Sequence, residues 1–196
     1  MGQRTTSSGT SEYHDVAIAD NEILPIPAFG QRRTHEGGFA QLIHCAIDAG
    51  ITEAALEDGC RYGRDNARVL RESGVNSATQ DPYVLHTVGE MAIITHSAEA
   101  LLLRGASKLN KALQASYRLA PEADRLLAEA SIAIAEAKYA TTEAALRVSE
   151  MLFRLGGASA TTAQQNLDRH WRNARTHTTH DPVSYKARAV GDYYLN

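Results

Sequence analysis

The sequence predicts a mainly α-helical protein, an antiparallel four-helix bundle preceded by a short β remnant. Three observations support this prediction. From about residue 34 onward, apolar residues recur at helical spacing. Loops rich in Gly, Pro, Ser and Asn divide that region into three long helical segments and shorter ones. The first 24 residues instead have the pattern of turn and strand, which ends at Pro25 and Pro27.

The stretch SEYHDVAIA, residues 11–19, alternates in part and predicts one strand. A single strand cannot satisfy its own backbone donors and acceptors, so it needs a ladder partner. We therefore expect residues 1–30 to be the incomplete end of a β domain. Residues 31–196 are expected to form the helical bundle domain, so the chain looks like the C-terminal part of something larger.

The first helix is expected from Thr34 to about Leu70. Its apolar stripe would consist of Phe39, Leu42, Ile43, Ala46 and Gly50. The second helix is expected to follow a loop at residues 71–82. Asp81 can cap it, with Pro82 at the first helical position, and it would run to about Leu113.

The third helix is expected from Pro121 to about Leu155. It is apolar or Ala on most of its faces, which favours burial on several sides, including against another subunit. A fourth, shorter helix lies within residues 163–179. A fifth follows Asp181 and Pro182. The three long helices and a shorter one together predict the bundle.

The composition of the 196 residues limits the choice of partners. The formal net charge of −3 gives no argument for a nucleic-acid partner. No apolar run reaches the roughly 20 residues that span a bilayer, and the first ten residues lack the apolar core of a signal peptide. Cys45 and Cys60 suit idle thiols in a reducing compartment. We therefore expect a cytoplasmic protein with no membrane or nucleic-acid partner.

The stretch NARTHTTHDP, from Asn173 to Pro182, is the densest candidate site. His177 and His180 lie three residues apart, close to one helical face. Imidazoles titrate near neutral pH and can donate or accept protons. A surface histidine at a helix C-terminus is the alternative, and a metal pair would lack an evident third ligand. Asp181 can either orient an imidazole or cap the following helix.

The last thirty residues, LDRHWRNARTHTTHDPVSYKARAVGDYYLN, carry a resemblance. They are similar to the C-terminal signature of the flavin-dependent monooxygenases of the acyl-CoA dehydrogenase superfamily, the branch of dibenzothiophene monooxygenase and the sulfur-acquisition oxidoreductases. GQRTTSSGTSEYHDVAIADNEIL, YGRDNAR, DPYVLHTVGEM and LGGASATT match that family in order and spacing. The resemblance covers essentially the whole chain and implies an acyl-CoA dehydrogenase C-terminal domain-like bundle.

The resemblance implies that His180 is the acid/base beside the flavin. His177 and Asp181 would support it or line the pocket. Asp181-Pro182 stands where many acyl-CoA dehydrogenases carry their catalytic Glu and a Gly. A carboxylate base removes a proton next to a thioester, whereas a histidine suits oxygen chemistry. The exchange therefore favours oxygenation over acyl-CoA dehydrogenation.

The same resemblance assigns the flavin phosphate to Arg68 and to Ser159 and Ala160. A guanidinium binds phosphate bidentately, and Arg64 is the rival one turn earlier. Small residues in LGGASATT permit a close approach of the backbone to a ligand. An ordinary helix C-cap explains the glycines of that stretch equally well.

The implied activity is that of a reduced-flavin-dependent monooxygenase acting on organosulfur or other small apolar substrates. Reduced FMN would come from a separate NAD(P)H flavin reductase, with FAD as the alternative cofactor and no metal. A homo-oligomer, a dimer of dimers, is expected. The chain is expected to be incomplete as a stand-alone enzyme. Two other readings stay open: an FAD-dependent acyl-CoA dehydrogenase-type oxidoreductase, and an inactive, truncated helical assembly module.

Overall fold

A computed structural model describes residues 1–23 and 34–196, and five α-helices dominate it. They are α1 (His35–Asp65), α2 (Pro82–Tyr117), α3 (Ala123–Gly156), α4 (Asp168–His177) and α5 (Ser184–Leu195). Short 3-10 turns lie at Asp20–Glu22, Arg71–Ser73, Ala78–Gln80 and Gly157–Thr161. The mainly α-helical bundle predicted from the sequence is therefore confirmed. None of the described helices is both long enough and apolar enough to cross a membrane.

Helix α3 is the centre of the bundle and packs against each of the other four helices. Leu127, Ala130, Ile134, Val148 and Leu155 of this helix are all buried. Because the Ala-rich inner face has so little side-chain volume, neighbouring helices can approach it closely. The long helices α1 and α2 cover α3 on two sides, and α4 and α5 complete the packing.

Capping explains where two of the helices begin and end. The Asp81 carboxylate accepts hydrogen bonds from the backbone N–H groups of Tyr83 and Val84, which confirms the predicted start of α2. At the far end of α3, Gly157 has φ +51°, a conformation that side chains rarely adopt. Its N–H bonds to the carbonyl of Phe153 and ends the helix.

Two of the predicted helices are shorter than expected. Helix α1 ends at Asp65 instead of near Leu70, because the N–H groups of Asn66 and Ala67 both bond to the Tyr62 carbonyl and close the last turn. Helix α4 begins only at Asp168. The preceding residues form turns, and Asn166 has a positive φ of +48°.

The predicted strand at residues 11–19 is wrong: within residues 1–23 and 34–196, no strand forms. No other segment that the structure describes offers a ladder partner to the backbone groups of residues 11–19. Pro25, Pro27 and the expected domain boundary after residue 30 lie outside the described residues. Near the N-terminus, Gly2 and Gln3 donate backbone hydrogen bonds to Thr176 and Asn173 of α4.

Of the apolar stripe predicted for α1, Leu42 packs against the core, but most of the stripe faces outward. Phe39 is 61% exposed and Ile43 47% exposed. The inner face of α1 instead consists of smaller and polar residues together with one Tyr: Cys45, Asp48, Thr52, Ala55, Asp58, Gly59, Tyr62 and Gly63. Small residues allow α1 to lie close to α3, and the polar ones meet partners there.

Candidate acid/base site at the end of helix α4

Between two apolar clusters of the core lies a layer of buried polar residues. One cluster contains Leu109, Ala112, Leu127, Ala130 and Ile134. The other contains Ala55, Tyr62, Met91, Val148, Met151, Leu152, Leu155, Ala160 and Leu167. The polar layer between them includes Asp48 and Thr52 of α1, and Lys138, Thr141 and Thr142 of α3. Such groups need partners inside the protein, because leaving them unpaired away from water is costly.

The centre of this layer is an ion pair between Asp48 and Lys138, both of which are fully buried. Lys138 Nζ lies 2.8 Å from Asp48 Oδ2. The Thr142 hydroxyl donates to the same oxygen at 3.3 Å. Burial opposes the charge of Asp48, but hydrogen bonds from His177 and Lys138 lower the pKa of its carboxyl group below the ordinary value. Asp48 is therefore a carboxylate at neutral pH.

Asp48 also joins the core to the histidines at the end of α4. His177 Nδ1 lies 2.6 Å from Asp48 Oδ1, and His177 Nε2 lies 3.1 Å from Nδ1 of His44 on α1. His180 follows in the next turn, and its ring stacks on His44 with 4.4 Å between centroids and a tilt of 32°. Both predicted histidines therefore lie against His44, at the C-terminal end of α4.

The three imidazoles differ in their exposure to solvent. The His177 side chain is only 9% exposed, His44 is half-buried and His180 is exposed. Burial lowers the pKa of His44, and the nearby His180, His177 and Lys138 lower it further. The site thus offers an accessible imidazole, His180, stacked on one that is held neutral.

Asp181 does not orient either of the predicted histidines through a hydrogen bond, and it does not cap α5. The residue before α5 is Val183, which makes no side-chain cap bond. Asp181 Oδ2 instead lies 3.3 Å from Lys186 Nζ. Burial opposes its charge, but Gln41 and Lys186 lower the pKa of Asp181. Within the described part of the chain, Gln41 Oε1 is buried without a hydrogen-bond partner, and the buried Asp181 Oδ2 has only this ion pair with Lys186.

Sequence reasoning missed His44, Asp48 and Lys138. A signal for the first two exists: His44 and Asp48 are four residues apart, so they share a helical face. Lys138 lies four residues after Ile134, on the apolar face of α3, where a charge demands a partner. Among residues 1–23 and 34–196, no group of three His, Cys, Asp or Glu side chains is placed to hold a metal ion.

Cys45 is also buried beside this layer. Burial raises the pKa of its thiol to about 11. A thiol with so high a pKa stays protonated at neutral pH and is a poor nucleophile. Cys45 and Cys60 are both free.

The predicted phosphate ligands lie away from the histidines. Arg68 is exposed and follows α1, whose stretch from His44 to its end at Asp65 is about 30 Å long. Ala160 packs with Tyr62 near that same end of α1, and Ser159 precedes it, exposed. Because its side chain is a methyl group, Ala160 can offer a phosphate only its backbone N–H group. One chain therefore does not bring these residues and His180 together.

A second buried histidine–carboxylate pair links α4 to α1. His170 Nε2 donates to Asp58 Oδ2 at 2.8 Å, and Arg61 and Arg169 also pair with Asp58. Burial, together with Arg169 and Arg61, lowers the pKa of His170 to about 4. Since His170 meets Asp58 and His177 meets Asp48, α4 runs antiparallel to α1. The pair anchors the start of the helix that carries the site.

Comparison with known proteins identifies the family. Residues 42–185 match the family model "Acyl-CoA dehydrogenase, C-terminal domain". The whole chain is 37% identical to a dibenzothiophene monooxygenase of Mycolicibacterium goodii and covers 48% of it. It is 35% identical to a probable FMNH2-dependent monooxygenase of Pseudomonas putida and covers 49% of that protein. The chain thus spans about half the length of the curated relatives it matches.

Solved structures agree with the family match. Methanesulfinate monooxygenase from Pseudomonas fluorescens superposes with a TM-score of 0.74 at 37% identity, over 80% of this chain and 40% of that one. FMN-bound TdsC from Paenibacillus sp. A11-2 gives a TM-score of 0.72 at 35% identity, over 81% of this chain and 39% of that one. The chain therefore belongs to the acyl-CoA dehydrogenase C-terminal domain family, with flavin-dependent monooxygenases among its relatives.

Proposed function

We propose that this chain supplies the C-terminal, flavin-side part of a reduced-flavin-dependent monooxygenase acting on organosulfur or other small apolar substrates. The observation that carries the proposal is the imidazole cluster at the end of α4, because an exposed imidazole stacked on a second one, which a third links to a buried carboxylate, is suited to proton transfer. Relatives described as dibenzothiophene and FMNH2-dependent monooxygenases support the substrate class and the cofactor.

The residues around the cluster suit a flavin in three ways. His180 is exposed, so a ligand can reach its ring. Gln41 Oε1, an acceptor near Asp181, is buried with no hydrogen-bond partner among the described residues, which suits a donor from outside the bundle. The exposed Phe39, Ile43 and Ile47 of α1 form an apolar face beside His44 that a planar ring or further polypeptide could cover.

In this proposal the residues have separate tasks. Reduced FMN, when bound, supplies electrons to molecular oxygen. His180 gives or takes the proton that this chemistry requires, and His177 holds the neighbouring imidazole in place. Asp181 keeps a negative charge next to His180.

Arg68, with the backbone at Ser159 and Ala160, would hold the phosphate of a flavin. Because Arg68 follows the end of α1, which is about 30 Å from His44, it would serve a flavin whose reactive edge meets His180 of another copy. That arrangement requires a homo-oligomer, and we propose a dimer of dimers. We further propose a separate NAD(P)H flavin reductase and a cytoplasmic location, which the free thiols of Cys45 and Cys60 suit.

A reconstitution assay tests the function. This chain is co-expressed with the N-terminal half of the Mycolicibacterium goodii relative, and assembly is checked by size-exclusion chromatography. The assembled protein is supplied with dibenzothiophene, NADPH, a flavin reductase and either FMN or FAD. We expect oxygenated product that depends on reductase and FMN, and none from this chain alone.

Two results would contradict the proposal. Oxidation of a CoA ester with an artificial electron acceptor, without oxygenation, would assign the chain to dehydrogenase chemistry. If the assembled complex forms no product, while a parallel complex with the relative's own C-terminal half does form product, this chain would be an inactive helical assembly module.

A further inference from the structure

The buried chain of hydrogen bonds from Lys138 to His44 fixes where the protons lie. Asp48 is ionised, so its oxygens can only accept. Lys138 and Thr142 donate to Oδ2, and the Nδ1–H group of His177 donates to Oδ1 at 2.6 Å. The carboxylate thereby determines which ring nitrogen of His177 carries the hydrogen.

The constraint passes from His177 to His44. When His177 is neutral with its hydrogen on Nδ1, its Nε2 has a free lone pair. His44 Nδ1 lies 3.1 Å from that nitrogen, so it must be the donor. The remaining nitrogen of His44, Nε2, is then unprotonated and can accept a proton, in a ring stacked on His180.

The charges around His44 favour its neutral form. Lys138 neutralises Asp48, so no net negative charge from that pair stabilises an imidazolium. His177 and His180 are further potential cations on the α4 side, Lys138 faces His44 from α3, and Asp181 is the opposing negative group. A buried ion pair by itself is weak evidence for stability. The effect of the Lys138–Asp48 pair on the histidines is therefore the better explanation of its presence.

We propose that Lys138 and Asp48 are positioning residues that hold His177 and His44 in the Nδ1–H tautomer and keep His44 neutral, so that His44 presents Nε2 as a proton acceptor beside His180. Asp48 determines the tautomer of His177 and, through it, that of His44. Lys138 keeps His44 uncharged. The tautomers follow from the hydrogen bonds of this chain; only their use in oxygen chemistry rests on the proposed function.

NMR of the full chain with 15N-labelled histidine tests the tautomers directly. Long-range 1H–15N spectra at pH 8, where an ordinary imidazole is neutral, report which nitrogen carries the hydrogen. His44→Gln and His177→Gln assign the signals. We expect the Nδ1–H form for both residues. An Nε2–H form of either residue in the folded wild-type chain would overturn the proposal, and this result needs no other variant.

The two positioning residues are separated by a pH titration of His44. Lys138→Met removes a cation, so the pKa of His44 should rise by roughly one unit. Asp48→Leu leaves Lys138 unpaired and frees His177, so the pKa of His44 should fall and the Nδ1–H form of His177 should be lost. If Lys138 and Asp48 had only a structural role, the two substitutions would not shift the pKa of His44 in opposite directions.

The matched control is Asp58→Asn, because Asp58 is likewise a buried α1 carboxylate bonded to an α4 histidine. It should leave the tautomers and the pKa of His44 unchanged. If folded Lys138→Met and Asp48→Leu chains, checked by circular dichroism, leave His44 unchanged or shift it in the same direction, the proposal is wrong. No flavin or substrate is needed, so failure of the oxygenation assay and failure here are distinguishable.

Discussion

At the scale of single residues, His170 couples the stability of the fold to pH. Its pKa is lowered to about 4, because it is buried and lies beside Arg169 and Arg61. The unfolded chain therefore binds a proton between pH 6.5 and 4 that the folded chain does not. The free energy of unfolding should fall as the pH drops from about 6.5 to 4, by at most about 1.4 kcal/mol per pH unit from this group.

Urea unfolding across this pH range measures the effect. His170→Gln keeps a donor for Asp58 but cannot titrate, so its stability should depend less on pH than that of the wild type. His86→Gln, on the exposed side of α2, serves as the control and should retain the wild-type slope. Equal slopes for His170→Gln and the wild type would show that His170 does not titrate abnormally.

Sequence reasoning found the histidines at the end of α4 and missed the residues of α1 and α3 that they contact. His177 and His180 stood out because histidines three residues apart in a polar stretch are visible in the chain itself. Asp48 and Lys138 are ninety residues apart in the sequence. Periodicity tells which residues share a face of one helix, but it does not tell which faces meet, so their pairing could not be predicted.

At the scale of helices, Asp81 is a cap whose loss can be measured. Its carboxylate satisfies two of the N–H groups that the first turn of α2 leaves without helical partners. Asp81→Ala should lower the free energy of unfolding by about 1 kcal/mol. Glu122→Ala, before α3, is the control, because Glu122 makes no side-chain cap bond. Chemical denaturation in which both variants lose equal stability would contradict the capping role.

Two helical glycines should respond to alanine in opposite ways. A Cβ on Gly156, the last residue of α3, would lie 2.5 Å from both Ala160 Cβ and Tyr62 Cε1. Gly156→Ala should therefore destabilise the chain by about 1–3 kcal/mol. Gly89, inside α2, has nothing within 4 Å of a Cβ, so Gly89→Ala should stabilise by about 0.5–1 kcal/mol. Thermal melts should separate the two; shifts in the same direction would be inconsistent with this packing.

The ends of the helices were predictable where residues close in the sequence determine them. Asp81 with Pro82 marked the start of α2, and the glycines after Leu155 marked the end of α3, because caps act within a few residues. The outward orientation of Phe39 and Ile43 was not predictable. The core-facing side of α1 is chosen by small residues and by Asp48, whose partners lie on other helices. The prediction of a strand at residues 11–19 was wrong because a strand needs a second strand to pair with.

At the scale of the whole molecule, the bundle has a buried polar layer joined to histidines at its surface. The chain covers about half the length of the relatives it matches, and the exposed apolar face of α1 next to His44 is suited to being covered. We expect His180 to move a proton during oxygenation. The chemistry of the assembled protein would then lie at a helix end that this chain builds by itself.

The most direct measurement is the rate of oxygenated product formation by the reconstituted protein carrying His180→Gln, with His86→Gln as the control. Loss of a general acid or base should lower the rate by about 10²- to 10⁴-fold, while assembly and flavin binding persist. His86→Gln should keep the wild-type rate. A His180→Gln protein that forms product as fast as the wild type would contradict the account.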